Sequence, residues 1–210
     1  KGAEVILASR SVEKGETAKA EMGSVKGKIV VMPLDLQDLA AVKKFTADFT
    51  KNYDRLDVLL NNAGIMTTPY FLTKDGIEGQ IGVNHFGHFA LTGQLLDLIA
   101  KTPESRVVNV SSMAHVTGKM NFENLLFENG KEYTPMKSYG QSKLANLLFT
   151  YELQRYFEAK GIDSIAVAAH PGVAHTNLVQ HIENKLIFKL FSPVLKLLAQ
   201  PAARGALPQI

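Results

Sequence analysis

Five short apolar runs, separated by stretches of helical spacing, constrain the fold of this chain more than any other feature. Runs without polar alternation are typical of parallel strands that are covered on both faces. The alternation predicts an α/β fold, a doubly wound parallel sheet in which right-handed crossovers bring the carboxyl ends of the strands to one edge. The runs are residues 5–8, 28–34, 56–60, 106–110 and 164–169.

Four helices are predicted between these strands, the first with Ser11 as its N-cap. The connection 112–137 is longer than an ordinary loop, and long ordered loops often carry function. The helices are expected at residues 12–22, 39–53, 76–100 and 138–160. We interpret residues 1–210 as a single Rossmann-like domain.

Charge and cysteine content exclude several classes of function. The net charge is only +3 and the basic residues are scattered among acidic ones, so nucleic acid is not indicated as a partner. The absence of cysteine excludes disulfides and thiolate metal sites and fits a reducing compartment. The location stays open between cytoplasmic and membrane-associated.

An apolar segment at residues 178–198 contains lysines and Pro193, and it is too short and too interrupted to span a bilayer. We predict a pair of helices that packs over a pocket. The alternative is a helix that lies in a membrane surface.

Tyr139 and Lys143 stand four residues apart on a predicted helix. Residues at this spacing share a face, with Cβ atoms roughly 5–6 Å apart. A nearby ammonium is expected to lower the pKa of a phenol and so to prepare it for general acid/base catalysis. The same spacing also occurs by chance, as a packed tyrosine beside a solvated lysine.

Most of the unusual polar residues follow the predicted strands directly. Ligands of open parallel sheets bind outside the carboxyl ends of the strands, so the sequence predicts a binding site at that edge. The residues concerned are Arg10, Asp35, residues 61–64, Ser111, Ser112 and residues 170–172.

Five motifs in this order resemble those of the short-chain dehydrogenase/reductase family, and in detail its retinol dehydrogenase-like branch. The resemblance covers almost the whole chain. The motifs are NNAG at 61–64, VNHFGHF around Asn84, NVSS ending at Ser112, YGQSK at 139–143 and HPGVAHT ending at Thr176.

The resemblance implies a set of catalytic roles. Tyr139 would be the general acid/base, and Ser112 would hydrogen-bond the same substrate oxygen. Lys143 would lower the pKa of the tyrosine and bind the nicotinamide ribose, while Asn84 would support a water-linked proton path to it. For Ser112 the alternative is a strand-end hydroxyl that bonds only to backbone.

The resemblance also implies which residues bind the cofactor. Asp35 would contact the adenine ring, although a capping carboxylate is the alternative. Thr176 would reach the nicotinamide carboxamide. The remaining positions implied are Asn61, Ala63 and Gly64 on the adenosine side, and Pro171, Gly172 and Val173 beside the nicotinamide.

The prediction of which cofactor binds depends on Arg10. NAD-binding relatives carry an acidic residue after this strand, which binds the ribose 2′-hydroxyl and would repel a 2′-phosphate. Here the position holds Ser9 and Arg10. A guanidinium suits phosphate, so we predict NADP(H), with a surface salt bridge as the alternative role of Arg10.

The glycine-rich turn of the family, TGxxxGxG, does not occur in the sequence. It would precede Lys1, so we expect a sheet that lacks its first and its last strand, as in a fragment of a longer chain. The six histidines suggest no metal site. His85 and His88 lack a third ligand, and packed or solvent-facing histidines are expected instead.

The sequence therefore predicts an NADP(H)-dependent oxidoreductase that interconverts an alcohol and a carbonyl on a small or lipophilic substrate. One alternative is a catalytically inactive binding or interaction protein without the cofactor cradle. Another is the reduction of a ring double bond in a tetrapyrrole, as in the related protochlorophyllide reductases, although no cysteine is present for that role. Contact with a membrane surface and oligomer formation remain open.

Overall fold

The computed structural model describes residues 2–172 and 202–209, and its five strands follow the predicted order. Four begin and end within one residue of the expected positions. The third begins two residues late, because the Leu56 N–H donates to the Thr102 hydroxyl instead of to a strand. The strands are β1 Glu4–Ser9, β2 Lys28–Pro33, β3 Val58–Asn61, β4 Ser105–Val110 and β5 Ser164–Ala169.

The strands form two groups, and every pairing is parallel. β1 pairs with β2, and β4 lies between β3 and β5. Within the described residues, β1 and β3 do not pair with each other. In each group the carboxyl ends therefore lie at one edge, as expected.

Helices separate successive strands. A π-helical turn, Gly82–Phe86, joins the third helix to the fourth, and short 3-10 turns occupy Met113–Thr117, Glu128–Gly130 and Leu207–Gln209. The α-helices are α1 Val12–Glu21, α2 Leu39–Asn52, α3 Gly79–Ile81, α4 Gly87–Lys101, α5 Pro135–Lys160 and α6 Ala202–Ala206. None of the helices in the described ranges is long and apolar enough to cross a membrane.

Local chemistry sets the helix ends. The predicted N-cap Ser11 is confirmed, since its hydroxyl accepts the Lys14 N–H at 3.2 Å. The helix expected from residue 76 begins only at Gly79, because residues 71–78 form a turn that the Glu78 side chain closes as N-cap. α5 begins at Pro135, three residues earlier than expected, since proline suits a first helical turn.

Helices cover both faces of the β1–β2 pair. Val31 meets Gly15 of α1, whereas the next residue, Met32, packs against the core cluster on the other face. That cluster joins α2, α4 and α5 to β4 and β5, and so it fixes α5, which carries Tyr139 and Lys143. Its buried members include Val42, Phe45, Phe49, Leu95, Ile99, Val107, Leu153 and Phe157.

The strands β3 and β5 differ from the expectation of full burial. In the described part of the chain, the face opposite the core cluster stays open. Val58 is 52% exposed, and Ile165, which shares its row across Arg106, is 41% exposed. The packing helices α4 and α5 lie on the other face.

Candidate active site

Tyr139 and Lys143 lie on one face of α5, as their spacing predicts. Each is only 4% exposed, and the Lys143 ammonium nitrogen lies 5.6 Å from the centroid of the Tyr139 ring. The ammonium donates to the Val110 carbonyl oxygen at 3.1 Å. The pair is therefore held against the carboxyl end of β4 and is not solvated on the surface.

Ser112 follows β4 and lies beside the Tyr139 phenol, with which its hydroxyl interacts. The hydroxyl also accepts the Ala114 N–H at 3.3 Å and caps the 3-10 turn. The Ser112 oxygen therefore both closes a turn and faces the tyrosine, so this hydroxyl does not bond to backbone alone.

Two glycines press this turn against α5. A Cβ at Gly118 would lie 2.4 Å from the Gly140 carbonyl oxygen, and a Cβ at Gly140 would lie 3.0 Å from that of Ala114. Only residues without a side chain permit this approach. The contact sets the distance between the Ser112 turn and the helix that carries Tyr139.

The pKa values differ from the expectation. Burial raises the pKa of Tyr139 above its ordinary value, and only the Ser112 hydroxyl opposes this shift. We expected Lys143 to lower it, but the Lys143 ammonium is directed to the Val110 carbonyl. Burial lowers the pKa of Lys143 to about 8, since a desolvated ammonium is unfavourable.

Asn84 is fully buried in the π-helical turn and connects three segments. Its amide oxygen accepts the Ile65 N–H at 2.8 Å, and its amide nitrogen donates to the Ile65 carbonyl at 2.9 Å and to the Ser142 hydroxyl at 3.0 Å. Ser142 in turn donates to the Tyr139 carbonyl at 2.8 Å. Asn84 therefore fixes the segment after β3 to the turn of α5 that carries Tyr139.

Gly64 brings the segment after β3 close to this group. A Cβ at this position would lie 3.2 Å from the Asn84 amide oxygen and 3.6 Å from the Lys143 ammonium nitrogen. The preceding residue, Ala63, is exposed. The segment after β3 thus comes close to the Lys143 ammonium.

The Asn61 side chain is directed into the fold. Its amide nitrogen donates to the Thr92 hydroxyl at 3.0 Å and to the Asn109 amide oxygen at 2.8 Å. Asn109 donates onward to the Thr150 hydroxyl at 3.0 Å. This buried chain links α4, β3, β4 and α5, so the Asn61 side chain ties the sheet to its helices.

Asp35 and Arg10 lie at the carboxyl ends of β2 and β1. Asp35 accepts the Gln37 N–H at 3.0 Å and so caps a turn, whereas the N-cap of α2 is Asp38. Arg10 is exposed, and no salt bridge to it occurs among residues 2–172 and 202–209.

Pro171 and Gly172 follow β5 at the same edge. Gly172 has a φ of +70° and donates its N–H to His170 Nδ1 at 3.3 Å. Val173, Thr176 and the apolar segment 178–198 lie outside the described residues.

A buried polar group beside the N-terminus of α5 was not predicted from the sequence. Glu78 is fully buried and accepts the N–H groups of Gln80 and Ile81 and the Ser138 hydroxyl. Gln80 accepts the Thr67 N–H at 2.8 Å and donates to the Pro135 carbonyl at 2.9 Å. The group braces the residues before Tyr139. Only a correct prediction of the cap at Glu78 could have indicated it.

His85 and His88 are packed in the fold. His85 Nδ1 lies 3.1 Å from the Asn146 amide oxygen, and His88 Nδ1 lies 3.1 Å from the Asn84 carbonyl oxygen. Asn146 also donates to the Val110 carbonyl oxygen at 3.1 Å, the same oxygen that accepts from Lys143. Each histidine thus contacts an asparagine of the site.

Comparison with known proteins assigns the chain to a family. Residues 1–186 match the family model described as short chain dehydrogenase. The chain is 45% identical over 183 residues to retinol dehydrogenase 11 of Homo sapiens, covering 86% of this chain and 56% of that protein. It is 43% identical over 199 residues to retinol dehydrogenase 12 of Homo sapiens, covering 93% of this chain and 62% of that protein.

Solved structures share the fold. A crystal structure of an uncharacterized protein from Mycobacterium paratuberculosis is 47% identical, with a TM-score of 0.72, and covers 93% of this chain and 67% of that one. The RhlG/NADP active-site complex of Pseudomonas aeruginosa has a TM-score of 0.68 at 21% identity and covers 97% and 77%. The first structure is similar in sequence and in fold, whereas the second is similar in fold alone.

This chain spans 56% and 62% of the two human relatives. Within that span, the parallel α/β fold, the grouping of Ser112, Tyr139 and Lys143 and the family match agree. The chain belongs to the short-chain dehydrogenase family.

Proposed function

We propose that this protein is an NADP(H)-dependent oxidoreductase that interconverts an alcohol and a carbonyl on a small or lipophilic substrate. The observation that carries the proposal is the grouping of Tyr139, Ser112 and Lys143 at the carboxyl end of β4. Relatives at 43% and 45% identity are named as retinol dehydrogenases, which supports an alcohol as one member of the substrate pair.

The proposed acid is the Tyr139 phenol. Because burial raises its pKa, the phenol keeps its proton at neutral pH. It is then ready to donate that proton to a carbonyl oxygen, while the Ser112 hydroxyl donates a second hydrogen bond to the same oxygen. A bound nicotinamide would supply or accept the hydride.

The proposed role of Lys143 is to bind a ribose hydroxyl and to support the proton transfer. An ammonium has three donors, and the Val110 carbonyl accepts from it at 3.1 Å. Its pKa of about 8 lies close to neutral pH, so the group can exchange a proton at modest cost. Asn84, against Gly64 and Lys143, would support the path to solvent.

Two of the residues present fit a dinucleotide. Gly64, which the resemblance places on the adenosine side, leaves room beside Lys143 that a Cβ would reduce. At the adenosine end, the exposed Arg10 offers a guanidinium for a 2′-phosphate. We propose contacts to the cofactor from the residues implied by the resemblance, with Asn61 contributing through its backbone: Asp35, Asn61, Ala63, Gly64, Tyr139, Lys143, Pro171, Gly172, Val173 and Thr176.

Exposed apolar side chains next to Ser112 and Tyr139 favour a lipophilic substrate. Met113 and Val116 lie in the 3-10 turn capped by Ser112, and Met136 precedes Tyr139 by one turn of α5. All three are more than half exposed. Such apolar surface beside a reacting group is typical of a site that receives an apolar ligand.

The experiment combines cofactor titration with a hydride-transfer assay. The protein is titrated with NADPH and NADH, and NADPH consumption is followed with retinal and with a short aldehyde. We expect the unmodified protein to bind NADPH and to turn over aldehyde, and we expect the Tyr139→Phe variant to show no turnover. Binding without turnover of any aldehyde contradicts the catalytic part, and the absence of nucleotide binding favours the inactive interaction protein.

A further inference from the structure

His88 is a buried imidazole that the proposed reaction does not use. It is 4% exposed in the first turn of α4, and its Nδ1 lies 3.1 Å from the Asn84 carbonyl oxygen. A carbonyl oxygen can only accept a hydrogen bond, so Nδ1 must carry the proton. In the neutral ring this leaves Nε2 without a proton.

The Asn84 carbonyl belongs to the π-helical turn Gly82–Phe86. In such a turn the backbone bonds run to the fifth residue along, as shown by Gly87 N–H bonding to the Gly82 carbonyl. The regular α-helical pattern is therefore interrupted around Asn84, and the His88 side chain supplies a donor to its carbonyl there. The imidazole thus adds a side-chain hydrogen bond to this turn.

The Asn84 side chain transmits this restraint to Tyr139. Its two bonds to Ile65 fix the segment after Gly64, and its bond to Ser142 continues to the Tyr139 carbonyl. A shift of the π-helical turn would therefore move Ser142, which bonds the Tyr139 carbonyl, and the segment of Gly64, which lies beside Lys143. No other described side chain donates to the Asn84 carbonyl.

The surroundings of His88 disfavour a charged ring. Burial lowers its pKa to about 4, and the Lys143 ammonium of α5 and His85 on the same helical stretch oppose a positive charge further. The hydrogen bond to the Asn84 carbonyl raises the pKa of His88, but by less than burial lowers it. At neutral pH the ring is thus uncharged.

We infer that His88 is a positioning residue of the proposed reaction, a neutral imidazole that holds the Asn84 carbonyl and thereby the Asn84–Ser142–Tyr139 chain. The part of this inference that concerns turnover rests on the proposed function. The part that concerns the hydrogen bond to Asn84 stands independently of it.

Two variants separate the hydrogen bond from the volume of the side chain. In His88→Asn the amide nitrogen occupies about the place of Nδ1 and can still donate, whereas His88→Leu fills the space without a donor. Ser164→Ala is the matched control, since it loses a buried bond to Ser105 at the amino end of β5, far from Tyr139. Thermal unfolding of all three variants reports the structural cost.

We expect His88→Leu to lower kcat about tenfold, or about 1.4 kcal/mol, with KM changed less than about twofold. His88→Asn should recover most of kcat. If the role of His88 is only structural, kcat in all variants follows thermal stability, and His88→Leu behaves like Ser164→Ala. Either that pattern or an unchanged kcat in His88→Leu overturns the inference.

A second measurement needs no turnover. Nitrogen NMR of the imidazole rings should show His88 neutral and protonated on Nδ1 from about pH 5.5 to about pH 8. A proton on Nε2, or titration near the ordinary value, overturns the inference. If the unmodified protein binds NADPH but turns over no aldehyde, the proposed function fails, and the NMR result alone decides whether His88 holds Asn84.

Discussion

The Lys143 ammonium donates to the Val110 carbonyl oxygen at 3.1 Å and so fastens α5 to the carboxyl end of β4. The Asn146 amide donates to the same oxygen, also at 3.1 Å. The carbonyl therefore keeps a partner if the lysine is removed. The lysine pays for its position through desolvation, which lowers its pKa from 10.5 to about 8.

Replacement of Lys143 by methionine is expected to stabilise the fold and to abolish turnover. The shifted pKa corresponds to a cost of ~3 kcal/mol at neutral pH, against which one hydrogen bond of about 1 kcal/mol is lost. The free energy of unfolding at pH 7 should rise by about 1–3 kcal/mol in urea titrations. Lys28→Met, at an exposed salt bridge with Glu4, is the control and should leave the free energy of unfolding nearly unchanged. A Lys143→Met protein that is less stable than the unmodified one would contradict this prediction.

Stability should also depend on pH through His88. Its pKa in the folded protein, about 4, lies below the ordinary 6.5, so the unfolded chain binds the proton first as the pH falls. Stability is therefore lost between about pH 6.5 and pH 4, and His85, whose pKa burial also lowers, acts in the same direction. Urea unfolding across this range should show a smaller loss for His88→Asn. An equal loss in both proteins would assign the dependence to other groups.

Tyr139→Phe should remove the proposed proton donor while leaving the fold intact. We expect kcat to fall by about 10²–10⁴-fold, with NADPH affinity nearly unchanged. Because the raised pKa keeps the phenol protonated, alcohol oxidation by the unmodified protein should accelerate with rising pH, whereas carbonyl reduction should not. Tyr151→Phe, at an exposed position of the same helix, is the matched control and should retain full activity. Retained activity in Tyr139→Phe would exclude the phenol as the acid.

Arg10→Asp should change the preference between cofactors. The exposed guanidinium would be replaced by a carboxylate that repels a 2′-phosphate and can accept a bond from a ribose 2′-hydroxyl. NADPH affinity should fall at least about tenfold while NADH affinity stays the same or rises. Lys51→Asp, at an exposed position near the end of α2, controls for the change in net charge. Equal affinity of the unmodified protein for both cofactors would contradict the predicted role of Arg10.

Local signals were sufficient to predict most of the fold. The β-strands follow from apolar runs, and the Ser11 cap follows from a serine before a helical pattern. The meeting of Tyr139 with Lys143 follows from helical spacing alone. These features depend on residues that are close in sequence, so the sequence contains the necessary information.

Features that depend on burial could not be predicted in this way. The direction of the Tyr139 pKa shift depends on what packs around the phenol, and the sequence suggested the opposite sign. In the sequence, Glu78 has no feature that distinguishes it from a surface carboxylate. Only the structure shows its bonds to Ser138 and to two backbone N–H groups. The π-helical turn around Asn84 likewise leaves no trace in the spacing of apolar residues.

The contact between Gly118 and Gly140 limits which positions around the Ser112 turn can accept a larger side chain. A larger residue at Gly118 would push the Ser112 turn away from α5 and misalign the two groups proposed to act on the substrate. Met113 and Val116, in the same turn, project outward and carry no such constraint. For the proposed reaction, we expect substitutions at these two outward positions to change substrate preference without disturbing the alignment of serine and tyrosine.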